Sequence, residues 1–537
     1  MMKRFKVPTF GSVRLRNRVF IFISISVCVL LLGAGILSHY ASQQIEKRLK
    51  ALGWNVGSVN VNIFSQTIGL SAVEIIPGPD SAEHISIRAQ IEDIIVKNIG
   101  LYDFLVNKEL TVDEMFVGDG VIHIVPKTHN EDHDRQPLET SIGKITIARI
   151  VIKDLNTSIA TDSLTRYSGR LNITLNNVQS SDGTEIGDIN AYTLDEAEAT
   201  VNDIIVNSQF YEVRVASVKM VSAEEKLQVD SLTLIPKYPK YKFSRIAGKQ
   251  TDRVNSFVPQ IEFTGIKYNQ LRDSSFVASK IEIKSPEVYS FRDKRMEFKE
   301  TKNKPLPIAA IKQFNIGVEV DTLKITDAKI TYEEFPSEGF KSGKIVFEDL
   351  QAVLVNVSDK VYQNRPRYAT LDATAKIMGK GLIQASFQLP LDADDQYHAK
   401  GKLNQLALYH LNPALENLAF IRIESGRLNN MDFDFNYNDR SSSGSLTINY
   451  QDLKMTGLKK ERSPDESDFK TFLINTIIKN DKDKDVPIGK RTGKIEFERD
   501  RKRQIFNYWW KSLLSGIKAS VLNSEKSSGK SKDARKK

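Results

Sequence analysis

Residues 320–334 read VDTLKITDAKITYEE, and this stretch decides the fold. Side chains of a strand alternate faces with period 2, so apolar residues two apart turn one side of the strand toward something apolar. Leu323 and Ile325 do this before a polar break, and Ala328, Ile330 and Tyr332 do it after the break. The apolar positions are odd-numbered in the first arm and even-numbered in the second. In an unbroken strand that change would carry the apolar set to the opposite side, so it predicts a bulge or a corner.

The couplet recurs along the chain. Leu110 and Val112 are followed, across VGDG, by Ile122 and Ile124, and Ile145 and Ile147 by Ile150 and Ile152. Leu227 and Val229 are followed by Leu232 and Leu234, and a partial copy spans 281–288. The spacing between copies is irregular, which makes a structural rhythm rather than a sequence repeat. Alternation also marks 56–63, 68–76 and 85–95, with Pro77-Gly78-Pro79 as a turn. Met431, Phe433, Phe435 and Tyr437 alternate with Asp432, Asp434 and Asn436, a half-buried strand, and Leu446, Ile448 and Tyr450 after an SSSG turn complete a hairpin. Almost no long amphipathic helix interrupts 55–465. The expected body is all-β, with regions at 42–300 and 311–500 joined by a connector at 301–310.

The ends differ from the body. Residues 1–18 carry Lys3, Arg4, Lys6, Arg14, Arg16 and Arg18 and no acid, and residues 19–37 carry no charge. As a helix that run is about 28 Å long, one hydrocarbon core. The flank after it is much less basic, so the positive-inside rule predicts a cytoplasmic tail at 1–18, a single-pass anchor at 19–41 and the bulk of the chain across the membrane. A cleaved signal competes with this reading, but SHYAS is a poor cleavage site. Cys28, the only cysteine, lies inside the apolar run rather than behind it, where a lipoprotein signal needs it. One cysteine also leaves no intramolecular disulfide and no thiolate metal cage.

At the other end, 501–523 spaces Phe506, Trp509, Trp510, Leu513 and Ile517 as one face of an amphipathic helix, followed by a basic, disordered tail at 524–537. Aromatics with lysines on such a helix suit a membrane interface, and capping the open end of the β body is the other reading.

Among 537 residues with net charge +9, much of the basic excess sits at the two ends, which argues against a nucleic-acid-binding body. There is no phosphate-binding loop, HExxH or nucleophile elbow. His129, Glu131, Asp132, His133 and Asp134 fall in a polar loop at 126–137 without a helix to align them, and a solvated loop accounts for them. The expectation is a protein that is not an enzyme, with no cofactor and no metal.

A strand apolar on one side must bury that side. Another sheet does so in a sandwich; in a long curled sheet, acyl chains do so, each buried methylene contributing about 0.8 kcal/mol. The residues leave both open.

Several stretches resemble one family. IEKRLKALGWNVGSVNVNIFSQTIGLSAVEI after the anchor, the couplet VDTLKITDAKITYEE, the region 411–455 and the ending GKIEFERDRKRQIFNYWWKSLLSGIK are similar to the AsmA-like family of bacterial envelope proteins, relatives of TamB in the bridge-like lipid-transfer superfamily. The resemblance implies an N-terminal transmembrane helix followed by a long curled antiparallel β-sheet, a β-taco or groove, ending in the amphipathic helix. It implies a bacterial inner-membrane protein, N-terminus cytoplasmic and bulk periplasmic. Its implied partners are phospholipids, the inner membrane and outer-membrane or envelope assembly proteins, and its implied work is to carry phospholipid toward the outer membrane or support outer-membrane biogenesis. The positions expected to line the groove are Leu110, Val112, Ile122, Ile124, Ile145, Ile147, Leu323, Ile325, Ile330, Phe433 and Phe435. The competing function is an envelope scaffold that binds protein partners through sheet edges.

Overall fold

A computed structural model describes residues 34–51, 53–75, 85–126, 143–160, 166–180, 192–314, 316–363, 365–392, 396–458 and 489–533. The anchor at 19–41 lies mostly outside these, as do the tail at 1–18, the turn at 77–79 and the loop of His129 and His133. Among the described residues, no helix is long and apolar enough to cross a membrane. The chain divides into two compact units, 1–202 and 203–537, the division falling inside the strand Glu196–Asn207. The expected connector at 301–310 is therefore part of the second unit, where Leu306 and Ile308 are buried.

The first unit opens with helix α1 (34–51). Strands β1 (Trp54–Asn62), β2 (Thr67–Ile75) and β3 (Ile85–Ile99) follow as an antiparallel meander. Helix α2 (Leu101–Asn107) leads to β4 (Leu110–Val117) and β5 (Gly120–Pro126), two halves of one broken strand that both pair with β3. Strands β6 (Ile145–Ala160) and β7 (Arg166–Ser180) come next. Val73, Ala89, Ile91 and Ile94 are buried on the apolar side, and Leu49 of α1 packs against them.

The second unit repeats this plan. Strands β10 (Tyr211–Val221), β11 (Lys226–Pro236) and β12 (Asp252–Thr264) form a meander, after the short β8 (Tyr192–Thr193) and the boundary strand β9 (Glu196–Asn207). Helix α3 (Lys240–Ala247) joins β11 to β12. A broken strand, β13 (Ser275–Lys284) and β14 (Glu287–Asp293), precedes the long β15 (Gly317–Phe335). The sheet is mixed, which corrects the expectation of a purely antiparallel one. β6 runs parallel to β4 and β5, and β15 runs parallel to β13 and β14. The physical reason is a return connection: after β14 the chain travels back along the strand direction through helix α4 (Pro307–Ile311) before laying down β15.

The couplets mark creases. In β15, Asp327 adopts φ 52° and the register with the next strand, β16 (Gly343–Ser358), shifts on either side of Ala328. The phase change across TDA is thus a bulge. Registers place Ser231 of β11, Pro259 of β12, Ser285 of the β13–β14 break and Asp327 side by side, and Ser231 and Ser285 are also left-handed. A proline in the middle of β12 fits there because the ladder is already interrupted. In the first unit one crease passes through Asn98, Asp113 and Asn177, and Asn98 donates a side-chain hydrogen bond to Asp113 at 2.9 Å. A second passes through Ala72, Asp119 and Asp154. Two phase changes in the broken strand β4–β5 explain why Leu110, Val112, Ile122 and Ile124 keep the same parity. Short polar side chains tolerate the left-handed region, which accounts for Asn, Asp and Ser at most of these points. Ala72 lacks that compensation. Ala72→Gly should therefore raise the stability of the first unit by about 1 kcal/mol, read from denaturant unfolding, because alanine is strained at φ 51°.

The C-terminal strands β17 (Tyr368–Ile377), β18 (Gly381–Pro390) and β19 (Tyr397–Ala407) continue the meander from β16. Helix α5 (Asn412–Leu418), β20 (Ile421–Tyr437), β21 (Ser441–Gly457), β22 (Gly489–Glu498) and helix α6 (Ile505–Asp533) complete it. The hairpin of β20 and β21 has its turn at Asn438–Arg440, and SSSG belongs to the strand. Asn438 Oδ1 accepts the amides of Arg440 and Ser441 at 2.8 and 3.0 Å, an Asx turn that fixes the reversal one step earlier than expected. Gly444 is needed in the strand because a Cβ there would collide with Phe435.

Candidate functional site

The register lays apolar side chains in rows that cross the strands on one face. One row in the second unit runs Val218, Val229, Ile261, Ile283, Ile325, Ala352, Ala373, Ala385, Gly401, Phe433, Leu446 and Gly493, each directly paired with the next. A neighbouring row runs Met220, Leu227, Phe263, Ile281, Leu323, Leu354, Leu371, Phe387, Ala399 and Phe435. Beyond the crease, Leu234, Ser256, Val288, Ile330, Phe347 and Ile377 form a third. The creases let each strand keep its greasy side on this face through a change of phase.

The rows differ along their length. Between β10 and β15 they are half-buried. Under α6 they are closed: Phe433, Phe435, Leu446 and Ile495 are 6%, 2%, 0% and 0% exposed. Trp509 stacks on Phe387 with centroids 4.3 Å apart, and Leu513 and Ile517 pack on the same cluster. The helix turns a stripe of Tyr508, Ser512, Gly516 and Ser520 down onto the sheet. Ser512 Oγ lies 2.7 Å from Ser442 Oγ. Phe506 and Trp510 face outward at 74% and 52% exposure.

At the far end of β12, β14 and β15 the apolar face turns polar. Asp252, Arg292 and Glu334 are cross-strand neighbours on that face. Arg292 donates to both carboxylate oxygens of Asp252, Nε at 2.7 Å, and this pairing raises the guanidinium pKa in spite of burial. Tyr332 donates to Glu334 at 2.7 Å, and Lys294 pairs with the other oxygen of Glu334 at 2.7 Å. Lys511 of α6 is exposed and makes no ion pair or hydrogen bond of its own among the described residues. Partial desolvation of its ammonium, with Lys294, Lys518 and Arg503 nearby, pulls its pKa below the ordinary lysine range.

The opposite face of the same strand ends is fastened by α3. Glu333 accepts hydrogen bonds from Lys240, Tyr289 and Ser342, and the Lys240 ammonium also sits 4.6 Å above the Phe291 ring. Burial pushes the Glu333 carboxyl up, but those three donors hold it below the usual carboxylate range. A depressed folded pKa contributes stability above the unfolded pKa that is lost as pH falls through the folded one. Glu333→Gln should thus cost about 1–3 kcal/mol at neutral pH, and the difference from wild type should shrink as pH drops through the carboxylate range, measured by denaturant unfolding at each pH. The rest of this face is wet, with Lys226 and Lys284 paired to Glu262 and Lys280 and Lys324 paired to Glu282.

Of the expected lining residues, Leu323, Ile325 and Ile330 lie on the half-buried rows of the second unit. Phe433 and Phe435 lie on the same face but inside the core beneath α6. In the first unit Leu110 pairs with Ile145 and Val112 with Ile147, and Val112 and Ile145 are both 6% exposed. Ile122 and Ile124 pair with β3 on one side and β6 on the other. The expected interface face of the helix divides: Trp509, Leu513 and Ile517 pack inward, and Phe506 and Trp510 point out. Sequence reading missed the polar group at the strand ends; the signal was present as Asp252, Arg292 and Glu334, each continuing the parity of an apolar run. No metal-binding group of His, Cys, Asp or Glu forms among the described residues. Compared with protein-family models and with curated proteins, the chain matches none.

Proposed function

We infer that this chain is a non-enzymatic lipid carrier of the bacterial envelope, anchored in the inner membrane by 19–41, whose sheet forms a curled groove in the periplasm. Its resemblance to the AsmA-like family points to phospholipid moving toward the outer membrane or to support of outer-membrane biogenesis. The observation that carries this reading is the pair of apolar rows from Val218 to Ile325 and from Met220 to Leu323, half-buried across successive strands. An acyl chain laid along such a row gains about 0.8 kcal/mol per methylene, without needing a fixed position. Creases bend a sheet, which is what a groove requires of strands this long.

The scaffold reading requires free sheet edges, and at each of the two terminal strands edge amides are capped from a helix. The β1 amides of Val61 and the following Ile63 donate to Ser42 Oγ and Ser38 Oγ of α1 at 3.0 and 3.3 Å. The Glu496 amide of β22 donates to Ser515 Oγ of α6 at 3.1 Å. Side chains that cap edge amides oppose strand addition. The test is a photo-reactive residue at Ile325 or Ile330 in cells: phospholipid crosslinked at both supports carriage, and crosslinks to protein alone would support the scaffold.

A further inference from the structure

Three segments of the first unit converge on one end of its strands. Strand β1 runs back along α1, so that the Val61 and Ile63 amides meet Ser42 and Ser38, and the β1–β2 turn lies beside the first turns of the helix. The Ile99 amide donates to the Gln66 carbonyl of that turn at 3.1 Å, which brings the start of α2 beside it. The turn is built rather than loose: Asn62 Oδ1 accepts the amides of Phe64 and Ser65 at 3.0 and 3.1 Å. What this end presents to its surroundings is apolar. Phe64 is 61% exposed, Tyr102 and Val106 of α2 are 73% and 60% exposed, and Ile36, Leu37 and Tyr40 of α1 are exposed within a turn of Ser38. Charge is almost absent. In a chain with 27% charged residues, the segments 34–45, 63–67 and 98–107 hold no Glu, Lys or Arg, and Asp103 is their only Asp. Asp103 accepts a hydrogen bond from Thr111 Oγ1 at 3.3 Å, which holds it toward β4. His39 is bonded to Gln43 at 3.0 Å. Lys108, Glu109 and Lys144 border this end on its β4 and β6 side, where headgroups and water can solvate them.

We propose that the β1–β2 turn and α2 form an interfacial foot, with Phe64, Tyr102 and Val106 resting in the headgroup region of the bilayer that holds the anchor. Chain geometry selects this occupant. The uncharged run ends at Leu37, one residue before Ser38, so a bilayer that takes up the run has its surface at the level of Ser38. The hydrogen bond from Ile63 to Ser38 sets Phe64 at that level, and the bond from Ile99 to Gln66 sets α2 there too. Uncharged aromatic and aliphatic side chains are what that region of a membrane accepts. The proposal rests on the anchor in the reading above and is independent of lipid carriage. It adds which strand ends of the first unit face the membrane.

The test uses the full chain in vesicles of phosphatidylglycerol and phosphatidylcholine, with Cys28→Ser and one new cysteine that carries an environment-sensitive fluorophore. Labels at Phe64→Cys, Tyr102→Cys and Val106→Cys should emit blue-shifted and lose most of their emission to lipids with a nitroxide near the headgroup. All three side chains are exposed, so the label displaces no core. A label at Ser58→Cys, exposed on β1 about 15 Å farther from the turn, should emit as in water and keep its emission. Ile36→Cys reads the anchor separately and should be quenched. Quenching at Ile36 with none at Phe64, Tyr102 and Val106 overturns the foot and leaves the anchor standing. Equal quenching at Ser58 also overturns the foot. Blue-shifted emission that nitroxide lipid does not quench overturns it in favour of protein cover, such as a second copy of the chain. Quenching at none of the labelled positions overturns foot and anchor together.

Discussion

Gly493→Val should unseat the C-terminal helix and cost the second unit about 3 kcal/mol. A Cβ at Gly493 would fall on the backbone oxygen of Gly516 and the backbone nitrogen of Ser520, atoms that no rotamer change can move aside. The helix itself comes as close at Gly516, where a Cβ would stand 2.7 Å from Ile495 Cγ1 and 2.8 Å from Leu446 Cβ. Contact of this kind, backbone on backbone, is what allows Trp509 to reach Phe387 and Ser515 to reach the edge amide of Glu496. Lifting α6 would uncover Phe433, Phe435, Leu446 and Ile495. The expected readings are a lower unfolding midpoint and a red-shifted tryptophan emission as Trp509 meets water. A variant that unfolds like wild type with unchanged emission would mean that the helix does not pack on β22.

Ile325→Asp should reduce the lipid recovered with the chain by about tenfold, the loss expected when a carboxylate must be dehydrated beside methylenes. Ile325 sits where β13, β15 and β16 meet, directly paired with Ile283 and Ala352. It is half-buried rather than enclosed, so the carboxylate keeps enough water in the lipid-free protein for the sheet to form. Lys324→Asp, one residue away, faces the wet side, where Lys324 pairs with Glu282 at 3.3 Å, and should leave lipid recovery unchanged. The contrast between adjacent residues separates an effect on the apolar face from a loss of folding.

Much of the fold was legible because its device is local. A phase change between Ile325 and Ala328 can be read from side-chain polarity alone, and it coincides with the left-handed Asp327 and its register shift. The alternation of Met431, Phe433, Phe435 and Tyr437 with polar residues corresponds residue by residue to buried and exposed positions. What was not legible depends on partners far apart in the chain. Parallel pairing at β15 follows from the route of the segment that leads back from β14, which polarity does not encode. The α6 stripe escaped because it is built from Ser512, Gly516 and Ser520, residues chosen for size, whereas an apolar-face reading selects Phe506 and Trp510, which point outward. Phe433 and Phe435 carry the same pattern as Ile325 and Ile330, and only the position of the helix distinguishes a filled stretch of the rows from a half-buried one. The cluster of Asp252, Arg292 and Glu334 joins three strands across more than eighty positions, within reach of registers but not of local pattern.

The groove claim is tested most directly by where lipid attaches. A photo-reactive side chain placed in turn at Ile325, Ile330, Leu323 and Lys324 of the full chain, expressed in cells, should yield phospholipid adducts by mass spectrometry at the first three and none at Lys324. Adducts at none of the apolar positions, or equal adducts at Lys324, would contradict it.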